Sequence, residues 1–154
     1  MKTIVLQPGH APGMAALWRV GVSENAVAEK SFTPAMSEED FAAMVAGQLV
    51  SGALFGWAIT SPTGDLLAYL TAEVKVSAPE SGSAPYLYLM DLDVSRAERR
   101  KGLATALVAQ ARGHAANQGL ACLEVSWVSK DPQASAFWHS QGFTQYLSRA
   151  RANV

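Results

Sequence analysis

The run from Tyr86 to Gly119, YLYLMDLDVSRAERRKGLATALVAQARGHAANQG, constrains the chain more than any other stretch. Tyr86 to Val94 is rich in aromatic and aliphatic residues and carries carboxylates only at Asp91 and Asp93, the composition of a central strand covered on both faces. Leu103, Leu107, Ala111 and Ala115 then recur every fourth residue, with Ala104 and Val108 beside them, as one apolar helical stripe. The join between strand and helix, Arg99-Arg100-Lys101-Gly102-Leu103-Ala104, is therefore a helix N-terminus. There a glycine lets the backbone approach a ligand, the first-turn amides lack partners, and three cations add to the helix dipole. Such a turn is an anion site. The chain contains neither the P-loop pattern GxxxxGK(S/T) nor GxGxxG, which disfavours a P-loop NTPase and a dinucleotide-binding dehydrogenase.

Composition narrows the classes further. The 154 residues suit a single domain, 1–154, and 49% hydrophobic against 16% charged residues marks a globular chain. A net charge of -1 gives no electrostatic footprint for nucleic acid or an acidic membrane. The basic cluster at Arg96, Arg99, Arg100 and Lys101 is local and sized for one polyanionic ligand. Cys122 is the single cysteine, so neither an intramolecular disulfide nor a cysteine-based metal cluster is expected. His10, His114 and His139 show no metal-ligand spacing, and no metal is expected. The apolar run before Pro8 is too short for a signal peptide, and no stretch approaches a membrane span. The expected location is cytoplasmic.

In chain order, Thr3 to Leu6 reads as a short first strand ended by Gln7-Pro8-Gly9. A first helix carrying Trp18 follows, broken near Gly21. Trp18 either lines a substrate pocket or anchors that helix to the sheet. Ser37-Glu38-Glu39-Asp40 opens a second helix, with Ser37 as N-cap, and Gly52 stops it. Ala53 to Thr60 and Leu66 to Val76 form a hairpin around the turn residues Ser61 to Asp65. Ser77 to Pro85 is a flexible connection into the central strand. Beyond Gly119, Leu120 to Val128 reads as a strand parallel to the central one, joined through the intervening helix. Asp131-Pro132 starts a last helix running to Gly142, and Phe143 to Arg149 reads as a final strand.

Two motifs carry a family resemblance. Arg99, Gly102 and Ala104 match Gln/Arg-x-x-Gly-x-Gly/Ala after the strand end Leu92-Asp93-Val94. Asp131 to Phe143 is similar to the late pattern Asn-x-x-Ala-x-x-Leu/Phe-Tyr-x-x-x-Gly-Phe, with Ala134, Phe137, Gly142 and Phe143 at matching positions. Together they resemble the GNAT superfamily of acetyl-CoA-dependent N-acetyltransferases. The resemblance implies an α/β (α+β) GNAT fold, a mixed central sheet of about six to seven strands flanked by about four helices.

It further implies that acetyl-CoA is the co-substrate and an unidentified primary amine the acceptor, with direct attack in a ternary complex. The turn Arg99, Arg100, Lys101, Gly102, Leu103, Ala104 would hold the pyrophosphate, with Thr105 adding a hydroxyl or bonding back to its own helix. Leu92, Asp93 and Val94 would pair with the pantetheine arm as with an added strand and supply an oxyanion donor. Asp131, at the family's Asn, keeps a helix cap and adds charge near the cofactor. Trp138 stands where many members carry the Tyr that protonates the departing thiolate, and an indole N–H is no usable acid. Ser135, on the same helical face, is a substitute donor through a water. The base candidates are Glu124 on the fifth strand and Asp91 on the fourth, with Asp93 and Glu73 as further strand carboxylates and direct proton loss to water as a competitor. Cys122, between Ala121 and Leu123 in a strand, reads as buried and inert. The rival function is a non-catalytic acyl-CoA-binding module of the same fold. The low charge content is compatible with a homodimer.

Overall fold

A computed structural model describes residues 2–32, 34–76, 82 and 84–152. Among these, five strands form one mixed sheet in the order of the chain, and four α-helices flank it. β1 (Ile4–Val5) pairs antiparallel with β2 (Phe55–Thr60), β2 with β3 (Leu66–Lys75), and β3 with β4 (Tyr86–Val94). β5 (Leu123–Val125) runs parallel to β4, as a crossover through α3 (Leu103–Asn117) requires. The hairpin, the central strand and the helix after it lie where the sequence places them.

α1 (Ala11–Ala28) and α2 (Glu38–Ser51) cover one face of the sheet. Their stripe of Met14, Ala15, Phe41 and Val45 buries against Leu6, Ala58 and Tyr69. Ser37 caps α2, its hydroxyl accepting the Asp40 N–H at 3.0 Å, and Gly52 ends the helix at a φ of 74°. The other face packs Trp57, Leu70, Leu87 and Leu89 against Leu103, Leu107, Val108 and Ala111 of α3. α4 (Pro132–Ser140) adds Trp138, and Asp131 caps it by accepting from the N–H groups of Gln133 and Ala134 at 2.9 and 3.1 Å.

Four expectations need correction. α1 does not break near Gly21 but runs through it to Ala28. A helix-interior glycine costs only about 1 kcal/mol, and here its missing side chain admits a neighbour described below. The strand expected over Leu120 to Val128 is only three residues long, because the chain parts from β4 after Val125. Phe143 to Arg149 carries no strand pairing. Its exposed apolar residues, Tyr146 and Leu147, are adjacent rather than alternate, so no sheet face could bury both. The sheet therefore has five described strands instead of six or seven. Residues 77–81 and 83 of the expected flexible connection lie outside the described part.

Candidate active site

The site begins with a β-bulge. Leu92 of β4 faces Leu70 of β3, but Leu89 faces Ala72, so β4 spends one residue more than β3 between the two pairs. Met90 and Asp91 thus share Thr71 as their partner. The Thr71 hydroxyl fills the irregular ladder, accepting the Asp91 N–H at 3.1 Å and donating to Asp91 Oδ2 at 3.1 Å. Strict alternation would have driven Asp91 and Asp93 into the core beside Leu87 and Leu89. After the bulge it is Leu92 and Val94 that pack on that core, while the two carboxylates turn to the α1 face, each met by a hydroxyl of β3.

The same stretch has a free edge. Ser95 donates to the Leu67 carbonyl at 2.8 Å, which makes Val94 and Ala68 a non-hydrogen-bonded pair. The main-chain groups of Leu92 and Val94 therefore point away from β3, to the side where β5 lay beside β4 until the pairing ended at Leu89 and Val125. The divergence of the two strands opens a cleft of about 2780 Å³. That is several times the ~300–1,000 Å³ of a single small-ligand pocket, so it has room for two partners at once.

At one end of this edge stands the glycine turn. Gly102 is the N-cap of α3 at a φ of 83°, with no side-chain cap, and a Cβ built on it would meet nothing within 4 Å. The first bond of the helix runs from the Ala106 N–H to the Gly102 carbonyl at 3.0 Å, which leaves the N–H groups of Leu103, Ala104 and Thr105 as the orphan donors of the first turn. Leu103 buries its side chain in the core and offers only its backbone, and Thr105 accepts a 3.4 Å contact from Gln141. Of the three cations, Arg100 is exposed, makes no ion pair among the described residues and holds a φ of 65°, uncommon away from glycine. Lys101 pairs with Glu98 at 3.1 Å.

Arg99 is held between the strand end and α1. Its Nε donates to the Val94 carbonyl at 3.2 Å, and its two terminal nitrogens donate to the two oxygens of Glu24 at 3.1 and 3.0 Å. Arg96 joins the same carboxylate at 3.0 Å. Burial works against the charge on Glu24, but hydrogen bonds from Arg99 and Arg96 prevail and hold its pKa below the usual carboxylate range. The motif arginine thus braces the strand end against α1 while lining the cleft.

α1 closes over the carboxylates one turn earlier. A Cβ on Gly21 would lie 2.3 Å from Asp93 Oδ1, so only glycine lets the helix backbone come this near. On its other oxygen Asp93 accepts from the Tyr69 hydroxyl at 2.7 Å. Burial pushes the Asp93 pKa up to about 6, against the Tyr69 hydrogen bond and the Arg99 charge, with the negative charges of Asp91 and Glu24 adding to the rise. Burial also raises Asp91 against its Thr71 bond. Trp18, on α1, stacks on Phe41 of α2 with ring centroids 4.2 Å apart, joining the two helices rather than helix and sheet, and it also lines the cleft.

The remaining sequence candidates divide. Glu124 lies on β5 opposite Tyr88, at the cleft wall, and bonds the Tyr146 hydroxyl. Glu73 is tied to Lys75 at 2.9 Å. The Ser135 hydroxyl accepts the Trp127 indole N–H at 2.9 Å, which leaves its own proton to donate. Trp138 is only 6% exposed and packs edge-on against Phe137 and Phe143, filling the core beneath the cleft. Cys122 is exposed, contrary to expectation, because the strand has not yet begun at that residue. The face taken by the Asp93 side chain, the brace at Glu24 and the closeness of Gly21 were not legible in the sequence. One signal was present: the apolar residues of β4 change parity from Leu87 and Leu89 to Leu92 and Val94, which is the mark of a bulge.

Known proteins share this fold. The model of the acetyltransferase (GNAT) family matches residues 16–143. No curated protein sequence matches. Among solved structures, a tetramutant of the BH1408 protein from Bacillus halodurans aligns with a TM-score of 0.82 at 14% identity, over 100% of both chains. The aminoglycoside antibiotic 6'-N-acetyltransferase AAC(6')-IG from Acinetobacter haemolyticus aligns with a TM-score of 0.76 at 17% identity, over 100% of this chain and 98% of that one. The aminoglycoside N-acetyltransferase AAC(6')-Iy, solved in complex with CoA, aligns with a TM-score of 0.77 at 14% identity, over 99% of this chain and 93% of that one. At these identities the likeness is one of fold.

Proposed function

The chain belongs to the acetyltransferase (GNAT) family, and from that premise we propose that it transfers an acetyl group from acetyl-CoA to a primary amine, with Asp93 as proton acceptor. One observation carries the reading: within three residues of β4, the main chain of Leu92 and Val94 turns toward the cleft an edge that no strand pairs, with Arg99 on the Val94 carbonyl, while the side chain of Asp93 lines the same cleft with its pKa pushed up to about 6. Acetyl-CoA fits the residues present. The open space over Gly102 and the orphan amides of Leu103, Ala104 and Thr105 suit a pyrophosphate, with Arg100, which makes no ion pair among the described residues, on the same turn. The edge at Leu92 and Val94 suits an extended chain that carries amide groups, as β-strand addition does.

The chemistry then follows from the groups at the site. The Asp93 carboxylate takes a proton from the acceptor ammonium, the freed amine nitrogen bonds to the thioester carbonyl carbon, the carbon–sulfur bond breaks with the thiolate leaving on CoA, and the second N–H proton passes to water. A carboxylate with a pKa of about 6 is a stronger base than an ordinary aspartate and is still mostly ionised at pH 7. Asp91, held by Thr71, adds negative charge that draws a cationic acceptor into the cleft. The leaving thiolate needs no protein acid, since a thiol of pKa about 8.5 departs as an anion at modest cost.

A binding-only reading is favoured by one feature, the buried Trp138 at the position where the family pattern has Tyr. The two part in a single experiment. The purified protein is titrated calorimetrically with acetyl-CoA, and thiol release is then followed across a panel of amines. Binding with release for one amine class supports the transferase, binding with no release for any amine supports the binding-only reading, and absence of binding overturns both.

A further inference from the structure

The carboxylate of Glu24 receives both Arg96 and Arg99 beside the strand end. Arg99 has one nitrogen on the Val94 carbonyl and both ends of its fork on Glu24. Its side chain is about one-third exposed, so it is not locked in place by packing. Asp93 sits one residue before Val94 on the same strand, and the Arg99 charge already acts on it. An arginine fork prefers a bidentate carboxylate over any other partner in reach. Two carboxylates therefore compete for one guanidinium, and α1 supplies the winner.

We propose that Glu24 is a positioning residue for the transfer: by filling the fork of Arg99 it keeps that cation from closing onto Asp93. Asp93 then meets its substrate without a cationic partner, free to take a proton. The groups that face it are Tyr69 from β3, Asp91 from its own strand, Glu24 from α1 and Arg99 from the turn after β4. Tyr69 donates to the one oxygen, and Gly21 brings α1 against the other. Glu24 and Gly21 stand three residues apart on one helix and so share a face, which couples the cover over Asp93 to the diversion of Arg99. The inference rests on the reading of Asp93 as proton acceptor, and its test is arranged to stand apart from that reading.

Replacing Glu24 removes an anion that raises the Asp93 pKa and releases a cation that lowers it, so both effects point down. An adjacent guanidinium typically lowers an aspartate by about 1–3 pH units. The carboxyl carbon of Asp93 is titrated by NMR in the full chain without acetyl-CoA or acceptor, its signal assigned through Asp93→Asn. In Glu24→Gln the midpoint is expected to fall by at least about one unit. In Glu24→Gln/Arg99→Gln it returns to near the wild-type value, because the competing cation is gone. Arg99→Gln alone raises it, and this variant carries the test if Glu24→Gln does not fold. An unmoved midpoint in Glu24→Gln, a fall that persists in the double variant, or no rise in Arg99→Gln would each overturn the proposal. The acid limb of the pH–rate profile at saturating acetyl-CoA is expected to move the same way as the midpoint. Thiol release that survives in Asp93→Asn would instead overturn the role of Asp93, a result the titration does not depend on.

Discussion

Gly21→Ala separates two opposed effects whose sizes are known well enough to fix the sign. In an exposed helix interior, glycine to alanine is stabilising by about 0.4–1 kcal/mol, through lower unfolded-state entropy and better helix propensity. Gly47 in α2 offers that situation, since a Cβ there meets nothing within 4 Å. At Gly21 the new methyl would stand 2.3 Å from Asp93 Oδ1 and 3.3 Å from its carboxyl carbon, where ordinary contact begins at 3.4 Å. About 1 Å of space must be found. The carboxylate cannot simply swing aside, because the Tyr69 hydroxyl holds its second oxygen at 2.7 Å. Overpacking of this kind costs ~1–3 kcal/mol, and loosening a hydrogen bond to a charged acceptor costs a further ~1.5–3 kcal/mol. Against a helix gain of at most ~1 kcal/mol, Gly21→Ala is expected to destabilise by ~1.5–5.5 kcal/mol while Gly47→Ala stabilises. Urea unfolding of the two variants at pH 7 measures both midpoints. If Gly21→Ala is stabilised as much as Gly47→Ala, α1 does not close on Asp93 and the account of the site fails.

Other outcomes follow from the same geometry. The folded-state pKa of Asp93 is raised, so the stability tied to its protonation is complete below about pH 4 and is lost as pH rises through about 6. Two pH units correspond to ~3 kcal/mol, so Asp93→Asn should be more stable than wild type at pH 7.5, by up to that amount, and show no such advantage at pH 4. An equal loss at both pH values in denaturant titrations would contradict the burial argument. Gly102→Val places a branched side chain at a φ of 83°, in the space assigned to the pyrophosphate, and should weaken acetyl-CoA binding at least ~10-fold in calorimetry, about 1.4 kcal/mol. Unchanged affinity would move the cofactor elsewhere. Asp131→Ala deletes the acceptor for two α4 amides and should cost ~1 kcal/mol in thermal or chemical unfolding.

What the sequence could disclose was set by how local each cause is. The limits of β4, the caps at Ser37 and Asp131 and the turn at Gly102 depend on neighbours within a few residues, and the structure places them where the pattern put them. The Glu24–Arg99 bond joins positions 75 residues apart, and nothing near Glu24 hints at its partner. Gly21 reads locally as a breaker, and its reason to exist lies on another element. The final strand failed for a similar cause, since pairing depends on a neighbouring edge and β5 ends too soon to provide one. Asp93 is the instructive case. Its residue was singled out for its main chain and as one of several strand carboxylates, and only the bulge at Met90 and Asp91 decides which face its side chain takes.

The unpaired edge of β4 also bears on how the protein keeps to itself. Exposed strand edges recruit other chains and are a common start of aggregation. Here the open groups belong to Leu92 and Val94, recessed between β4 and the departing β5, and one of the outward carbonyls is already capped by Arg99. A second protein strand would have to enter a cleft with α1 at one side, whereas a thin, flexible molecule passes. Sheet geometry alone therefore acts as a filter by thickness, and a variant that widens the mouth should lose solubility before it loses its fold.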